Sequence, residues 1–588
     1  MNDNGISKTM ISEATSRNWK RLHSNGSGRL MSRANKQLST KTVVPVEYFS
    51  NKENVAVIQR FVAFCKEQNY SIEEVIFSVG VRLLKEEGIL EKEHVAAALK
   101  ATGNYVCSKH SKCLEFSDSL SLPPLPSDEH DLLGLLYQCF LLEGEKNRKG
   151  SYYTPLEVAR NMTKGLDFSK NQTFFDPCCG SGAFILALEG ASPNQIFGCD
   201  NDPIAVMIAK INLLIKYKSE VFEPQIYKCD YLKQYFNTNY TYIISNPPWG
   251  AVLFDEKNNP ISTRESFSYF FEKAFGQLED NGVIRFLLPE SVLNVKSHRN
   301  FRKFLLENGD LQSITLYPDT FAGVQTKYID IQCVRHFDRP QGVEKSHKIA
   351  TYLYKGDFSI SLRSSRNDEE SRFISKDAFY LTNNLNFNLL SDSDLQKVHK
   401  ILAKGKYTLK ESIWALGVIT GDNKNKVKSQ YSKGLESIYT GKEIEAYTLK
   451  KPRKFIKYER SDFQQVAKDE IYHADEKLVY KFISKNLVFA YDNSKSLFLN
   501  SANILIPRIP GMSIKTVLAF LNSELFKFLY KSLFGEIKIL KGNLMELPFP
   551  EITPETDQKL TQLVDEVLKG NKEAIKEIDE VVSEVFQI

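Results

Sequence analysis

The chain has 588 residues, a formal net charge of +5, 25% charged and 42% hydrophobic residues. This length allows about three to four domains with ample cores, and so slight a basic surplus excludes a uniformly positive body, leaving nucleic-acid contact to local patches. No apolar run approaches the roughly 20 residues that span a bilayer, no signal-peptide pattern opens the chain, and nine cysteines without a paired framework suit reduced thiols in a cytoplasm.

Helical patterns at 53–68, 71–86 and 92–100 predict a small, mostly helical domain over 1–125, with a Ser/Pro/Asp-rich connector at 117–129. Upstream, Ser12 to Arg21 reads like the second helix of a helix-turn-helix, but no convincing first helix precedes it. Cys107, His110 and Cys113 have no evident fourth ligand, so a tetrahedral zinc site is not expected and no metal is assigned. A nuclease core, an acidic strand end followed by Glu-x-Lys on the next strand, is not found, which argues against a fused endonuclease. Leu132–Phe140 then reads as a helix leading into the region richest in motifs.

Thr173, Phe174 and Phe175 end in Asp176, Pro177, Cys178, Cys179, Gly180, Ser181 and Gly182, and a helical run from Ala183 to Leu188 follows. The pattern is strand, glycine turn, helix. Gly180 and Gly182 permit close backbone approach to a ligand, but the third glycine of the dinucleotide fingerprint is missing, so a ligand without phosphates fits better. Asp176 at the strand end suits a cationic amino group, such as the methionine part of S-adenosylmethionine presents. Cys178 and Cys179 read as small thiols packing the turn, since a nucleophilic Pro-Cys of the cytosine-C5 kind belongs where the substrate binds.

The strand Gln195–Cys199 ends in Asp200, Asn201, Asp202 and Pro203, ahead of a helix from Ile204 to Ile215, and Asp200 is placed to accept two ribose hydroxyls. The strand Gln225–Cys229 ends in Asp230 and Tyr231. The Asp230 carboxylate suits an adenine amino group, although Asp202 and Asp230 could equally cap following helices. Tyr242, Ile243 and Ile244 then lead to Asn246, Pro247, Pro248 and Trp249. Two prolines cannot continue a strand ladder, so the segment leaves the sheet as a stiff, extended loop. An amide side chain and a proline carbonyl held this way can accept both hydrogens of an sp2 amino group, and the indole offers a face for stacking. Asp, Asp, Asp and Asn at four strand ends line up along the carboxyl edge of one parallel sheet, where open α/β folds bind ligands.

With these motifs, with Gly150 to Pro155 ahead of the glycine turn, and with Val283–Pro289 and Leu316–Phe321 after it, the chain resembles the class I S-adenosylmethionine-dependent adenine-N6 DNA methyltransferases of NPPW type found in restriction-modification systems. The resemblance implies an α/β, Rossmann-like methyltransferase domain with a mostly parallel sheet over 126–350, an α+β target-recognition domain over 351–554 and C-terminal helices over 555–588. It implies S-adenosylmethionine contacts from Tyr153, Thr154, Asp176, Pro177, Cys178, Gly180, Gly182, Asp200, Asn201, Asp230 and Tyr231. It also implies an adenine rotated out of the duplex and met by Asn246, Pro247, Trp249 and Phe321. Trp249 departs from the commoner tyrosine, keeping the π face but replacing a hydroxyl with an N–H donor. The expected setting is a bacterial or archaeal cytoplasm, with double-stranded DNA and a separate cognate restriction endonuclease as partners and no membrane.

Farther on, Gly417–Gly421, Ile438–Ile444 and Leu518–Ser523 are similar to a TaqI-like recognition domain, and between them lies the densest basic stretch, Lys450 to Arg460. Basic residues interleaved with aromatics suit a phosphate-tracking surface, so Lys442, Lys450, Lys451, Arg453, Lys454 and Lys457 are the expected DNA-binding residues. Glu555–Phe586 has apolar residues at helical spacing and predicts a terminal hairpin. The same Asn-Pro-Pro chemistry would serve an RNA adenine or guanine amino-methyltransferase or a protein-glutamine methyltransferase, and a non-catalytic DNA-binding subunit is a third reading. The filled cofactor positions weigh against the last, and the large basic C-terminal region against a glutamine enzyme.

Overall fold

A computed structural model describes residues 48–102, 122–141, 154–249, 265–317, 327–336, 348–354, 369–535 and 538–588. The chain divides into two compact units between Lys376 and Asp377. Tyr153, Phe321, the segment 10–22 and the cluster Cys107, His110 and Cys113 lie outside the described residues.

The first unit is built on strands β1 (Phe174–Asp176), β2 (Ile196–Asp200), β3 (Gln225–Lys228), β4 (Tyr240–Ser245), β5 (Leu278–Pro289), β6 (Asp310–Tyr317), β7 (Tyr328–Val334), β8 (Lys348–Tyr354) and β9 (Glu369–Ser375). They form one sheet in the order β3-β2-β1-β4-β5-β7-β6-β8-β9. β3, β2, β1, β4 and β5 run parallel, and β7 is antiparallel to both β5 and β6. Aromatic residues suit these half- and fully buried pleats: Phe175 of β1 stacks on Tyr240 of β4 with centroids 4.5 Å apart. The boundary expected at 350/351 falls inside β8, because β8 pairs with β6 and β9 pairs with β8, which carries the sheet to Ser375.

Helices α1 (Asn54–Glu67), α2 (Ile72–Glu86) and α3 (Glu93–Thr102) match the N-terminal periodicities. Ser71 and Glu74 form a reciprocal capping box at the start of α2. Their apolar faces do not close a core of their own: Ile58, Val75, Leu84 and Val95 belong to the same buried cluster as Ile185, Ile208 and Ile226 around the sheet. α4 (Leu132–Phe140) is the bridge, packing on α1 and α2 and on α7 (Pro203–Lys216). Between these in sequence lie α5 (Leu156–Thr163) and α6 (Ala183–Ala187), and α8 (Ser266–Gly276) and α9 (Arg299–Asn308) complete the unit. The Lys216 ammonium closes the end of α6, donating to the carbonyls of Ile185, Leu186 and Leu188, and burial lowers its pKa to about 8.

The second unit holds two four-stranded sheets. In one, Ile413–Leu416, Ala502–Ile506, Lys477–Lys481 and Phe489–Asp492 are neighbours in that order and all antiparallel. In the other, Val427–Lys428, Phe455–Ile456, Glu436–Tyr439 and Leu497–Phe498 adjoin, with the last pair parallel. Helices α10 (Asp392–Lys404), α11 (Ile514–Asn522), α12 (Glu524–Phe534), α13 (Pro554–Leu568) and α14 (Ala574–Phe586) share one core with the first of these sheets. α13 and α14 form a hairpin in which Leu560, Leu563, Val564 and Val567 are buried, as their helical spacing predicts.

Candidate active site and recognition surface

The four parallel strands β3, β2, β1 and β4 deliver their C-terminal ends to one edge, and a cavity of about 250 Å³ opens there. Thr154, Asp176, Pro177, Cys178, Gly180, Asp200, Asn201, Asp230, Tyr231, Asn246 and Pro248 line it. The glycine turn is held open by backbone that only glycine adopts without strain: φ is +52° at Gly180 and +92° at Gly182. Nothing lies within 4 Å of where a Cβ on Gly180 would sit, so the turn leaves a cradle on the cavity side. Gly182 is not part of the lining; its N–H closes the turn on the Cys179 carbonyl (2.8 Å) and it starts α6.

Asp176 sits at the floor, fully buried. Its Oδ1 accepts from the Ser245 hydroxyl (2.6 Å) and the Cys178 N–H (3.0 Å), whereas its Oδ2 is buried without any hydrogen-bond partner. Burial pushes this carboxyl up to about 7, against the lowering effect of those two hydrogen bonds. The Asp200 carboxylate ties two turns together, accepting from the Gly180 N–H (3.0 Å) and the Asp202 N–H (2.9 Å), and burial raises its pKa too. Each of these oxygens keeps a second lone pair for a ligand. Asp202 caps α7 through the Ile204 N–H (3.0 Å) and receives the Tyr137 hydroxyl (2.5 Å), so its helix-capping reading holds. Asp230 is exposed at the rim, 3.4 Å from Lys233. The Tyr231 ring stacks on Phe270 and its hydroxyl donates to Gln277, which makes it a wall.

At β4, the Asn246 amide nitrogen donates to the Thr154 hydroxyl (3.2 Å), which fixes the plane of the amide. The Pro248 carbonyl is taken by the Ser266 hydroxyl (2.5 Å), while the Pro247 carbonyl has no donor among the described residues. Trp249 does not line the cavity. Its indole N–H donates to the Leu287 carbonyl (3.1 Å) and its ring neighbours Tyr328. Cys178 and Cys179 have their thiols held well above the ordinary range by burial and by Asp200 and Asp176, which makes thiolate chemistry unfavourable there.

Next to this loop a buried polar network spans three strands and a helix. Arg285 of β5 clasps Asp330 of β7 through Nε (2.6 Å) and Nη2 (3.0 Å), and the Tyr317 hydroxyl of β6 donates to the same carboxylate (2.9 Å). Arg285 also donates to the Asn161 carbonyl (2.9 Å) of α5, and the Asn161 amide donates to Tyr317 (3.0 Å). Tyr317 stacks on Tyr328 at 4.8 Å, and Tyr328 adjoins Trp249. The helix that follows Thr154 and the loop that carries Asn246 are thereby referenced to one buried ion pair.

A family model described as N-6 DNA Methylase matches residues 128–329, and one described as TaqI-like C-terminal specificity domain matches 436–549. The chain is a DNA methyltransferase that carries an N-6 DNA methylase domain and a TaqI-like specificity domain. The type II methyltransferase M.VspI of Vibrio sp. (strain 343) is 29% identical over 322 residues, 53% of this chain and 74% of that protein. The methylase subunit of the type I restriction enzyme EcoEI of Escherichia coli is 27% identical over 232 residues, 34% of this chain and 46% of the subunit, so the match spans less than half of that relative. Among solved structures, the type IIL restriction-modification enzyme MmeI in complex with DNA shares the fold at a TM-score of 0.57 and 13% identity, covering 91% of this chain and 96% of that one. The methyltransferase's first unit has an α/β arrangement in which a parallel set of strands is followed by an antiparallel β7. No helix among the described residues is long and apolar enough to cross a membrane.

In the specificity domain, Lys442, Lys450, Lys451, Arg453, Lys454 and Lys457 are all exposed. They are not equivalent. Lys450 pairs with Glu445 (2.6 Å) and Lys457 with Glu459 (3.3 Å), while Lys442, Lys451, Arg453 and Lys454 have no carboxylate partner among the described residues. The interleaved aromatics divide: Tyr458 packs on Phe463 and Tyr472 at the core, whereas half-buried Phe455 meets Tyr431, which is 66% exposed, so that pair lies at the surface. The tract is therefore a row of exposed cations on the irregular segments flanking the two-residue strand Phe455–Ile456, whose Ile456 is buried.

The sequence reading passed over Tyr137, Gln138, Ser181 and Phe270 in the cavity and the Arg285–Asp330 network beside it. A tyrosine–glutamine pair inside the otherwise apolar run Leu132–Phe140 was the available signal for the first two. The network left none, since its members lie far apart in sequence.

Proposed function

We propose that the methyltransferase binds S-adenosylmethionine at the carboxyl edge of its parallel sheet and methylates N6 of an adenine rotated out of duplex DNA. The observation that carries this reading is the convergence of Asp176, Asp200, Asp230 and Asn246 on one cavity. The residues fit the cofactor: an orphaned, buried carboxylate oxygen on Asp176 awaits a cation, Asp200 keeps lone pairs for ribose hydroxyls, and Gly180 leaves room for close approach. Bound there, S-adenosylmethionine supplies an electrophilic methyl group on its sulfonium.

The chain's own part is to hold the target amine. The Asn246 Oδ1 and the Pro247 carbonyl accept the two N6 hydrogens, which localises the nitrogen lone pair that the purine otherwise delocalises. The neutral amine needs no prior deprotonation, so positioning and fixed dipoles carry catalysis. Thr154 holds the Asn246 amide from behind, and the Ser266 bond to Pro248 stiffens the loop. Trp249, anchored to Leu287, and Phe321 provide stacking surfaces that offset part of the few kcal/mol lost on flipping. Lys442, Lys451, Arg453 and Lys454 contact phosphates from the specificity domain. The relatives' names extend the proposal to a restriction-modification system with a separate cognate endonuclease.

The test is incubation of the purified protein with duplex DNA and isotopically labelled cofactor, followed by nucleoside mass spectrometry. N6-methyladenine in the wild type and its loss in Asn246→Ala are expected. Methylation confined to cytosine, to RNA or to a protein glutamine would overturn the substrate assignment.

A further inference from the structure

Gln138 is a polar side chain in the middle of α4, a helix otherwise made of leucines, glycine, tyrosine, cysteine and phenylalanine. It is 7% exposed, it lines the cavity, and its amide makes no hydrogen bond to the described protein. Its polar atoms are not among the buried atoms left unsatisfied, so the side chain is packed while its amide opens on the cavity, where a ligand can meet both donor and acceptor. The helix that carries it is firmly placed. Its cap, Asp131, accepts from the Gly134 N–H (2.9 Å), the Ser181 hydroxyl of the glycine turn (2.8 Å) and the Asn212 amide of α7 (2.8 Å). The adjacent Tyr137 donates to Asp202.

Charge complementarity indicates what this amide is for. The described lining contains four carboxylates, Asp176, Asp200, Asp202 and Asp230, and no lysine, arginine or histidine. S-adenosylmethionine carries two cationic centres, which acids suit, and one carboxylate, which they repel. That carboxylate needs donors, and no cationic side chain of the described lining supplies them. The NH2 of Gln138, which bonds to no protein group and opens on the cavity, does so without adding positive charge that would compete with the sulfonium. Resting on the cofactor reading above, we propose that Gln138 binds the α-carboxylate at the amino-acid end of the cofactor.

Affinity of the full-length protein for S-adenosylhomocysteine and for 5′-methylthioadenosine, which lacks the amino-acid end, separates the possibilities by calorimetry without any turnover. Gln138→Ala and the near-isosteric Gln138→Met should weaken S-adenosylhomocysteine about ten- to a hundredfold, the range for a hydrogen bond to a charged group, while leaving methylthioadenosine within about twofold. Gln138→Glu should weaken S-adenosylhomocysteine further, because it sets a fifth carboxylate against the ligand's own. The ligand-free melting temperature of Gln138→Met should stay close to the wild type's, since the amide bonds to no protein group; a marked drop would mean a structural role and overturn the proposal. Equal loss for the two ligands, or no loss, would also overturn it. Failure of the wild type to bind S-adenosylhomocysteine would instead bring down the cofactor reading on which it rests.

Discussion

In the unit that ends at Lys376, ionisable groups are taken out of water and fixed: Asp176 and Asp330 are wholly buried, and Arg285 is nearly so. In the unit that begins at Asp377, the cations assigned to DNA stand in solvent, and the wholly buried pair there, Lys477–Asp492 at 2.6 Å, is a core feature far in sequence from the basic tract. The difference follows from the two tasks. Methyl transfer needs charges and dipoles that do not reorganise, in a dry place where each is strong. Contact with a phosphate backbone needs accessible cations, each weak and screened by salt. Perturbations of the first unit should therefore be large and insensitive to salt, and those of the second small and salt-dependent.

The largest expected effect is structural. Asp330→Ala leaves the Arg285 guanidinium without its counter-charge and Tyr317 without its acceptor. Removing one partner of a buried pair usually costs about 3–5 kcal/mol, so urea denaturation should show a loss of that size, with weakened methylation following from a displaced loop. A loss under about 1 kcal/mol, the range of surface pairs, would show that the network organises nothing. Next is Asn246→Ala, for which turnover should fall about 10²-fold or more, as for other preorganised polar groups, while cofactor affinity stays within a few fold. Retention of a tenth of wild-type turnover would remove Asn246 from its role.

Cofactor affinity gives two smaller effects. Asp200→Ala should weaken S-adenosylmethionine by about 1.5–3 kcal/mol, measured by calorimetry. Unchanged affinity would shift the ribose contact elsewhere. Asp176 supplies the pH dependence. Its carboxyl, pushed up to about 7 by burial, is partly protonated at neutral pH without ligand, and a cation binds only to the carboxylate. Affinity should thus rise with pH and level off above about 7, falling below it by up to about tenfold per pH unit. The sign for stability is opposite. Between 3.8 and about 7 the folded state holds a proton that the unfolded chain has lost, so the ligand-free protein should become less stable as pH rises through that window. Asp176→Asn should flatten both profiles.

Much of the first unit was legible because its chemistry sits at strand ends, where short apolar runs stop at Asp, Asp, Asp and Asn. Those four positions converge as expected. What was not legible is everything that depends on packing across sequence. Nothing in Val283–Pro289 says that Arg285 meets Asp330, and the antiparallel β7 brings them together only in the fold. The N-terminal helices were correctly placed along the chain, but their shared core with the sheet is invisible to helical periodicity, which shows that a face is apolar and not what covers it. Gly182 and Gly180 look alike in sequence; one opens the cavity and the other only closes the turn. In the specificity domain the interleaved basic and aromatic residues were read as a single surface, whereas Tyr458 packs against the core and Phe455 with Tyr431 stays at the surface, a division that depends on packing across sequence.

That basic tract yields the smallest effect and the sharpest contrast. Lys451, Arg453 and Lys454 are exposed and have no carboxylate partner among the described residues, whereas Lys450 and Lys457 are already paired with Glu445 and Glu459. If the first three contact phosphates, replacing all three by alanine should lower the slope of log affinity against log salt by about 0.9 per contact, up to about 2.7 in total. Binding should weaken alike at every sequence, and the sites that are methylated should not change, since phosphate contacts carry no sequence information directly. Replacing Lys450 and Lys457 should move the slope less, because their intramolecular pairs must be given up before DNA is met. DNA binding of the two variants at several salt concentrations, with methylation profiling alongside, decides between these outcomes. An unchanged slope in the triple variant would make the tract a solvated loop, and a change in which sites are methylated would make it a reader of bases, with the recognition surface reassigned accordingly.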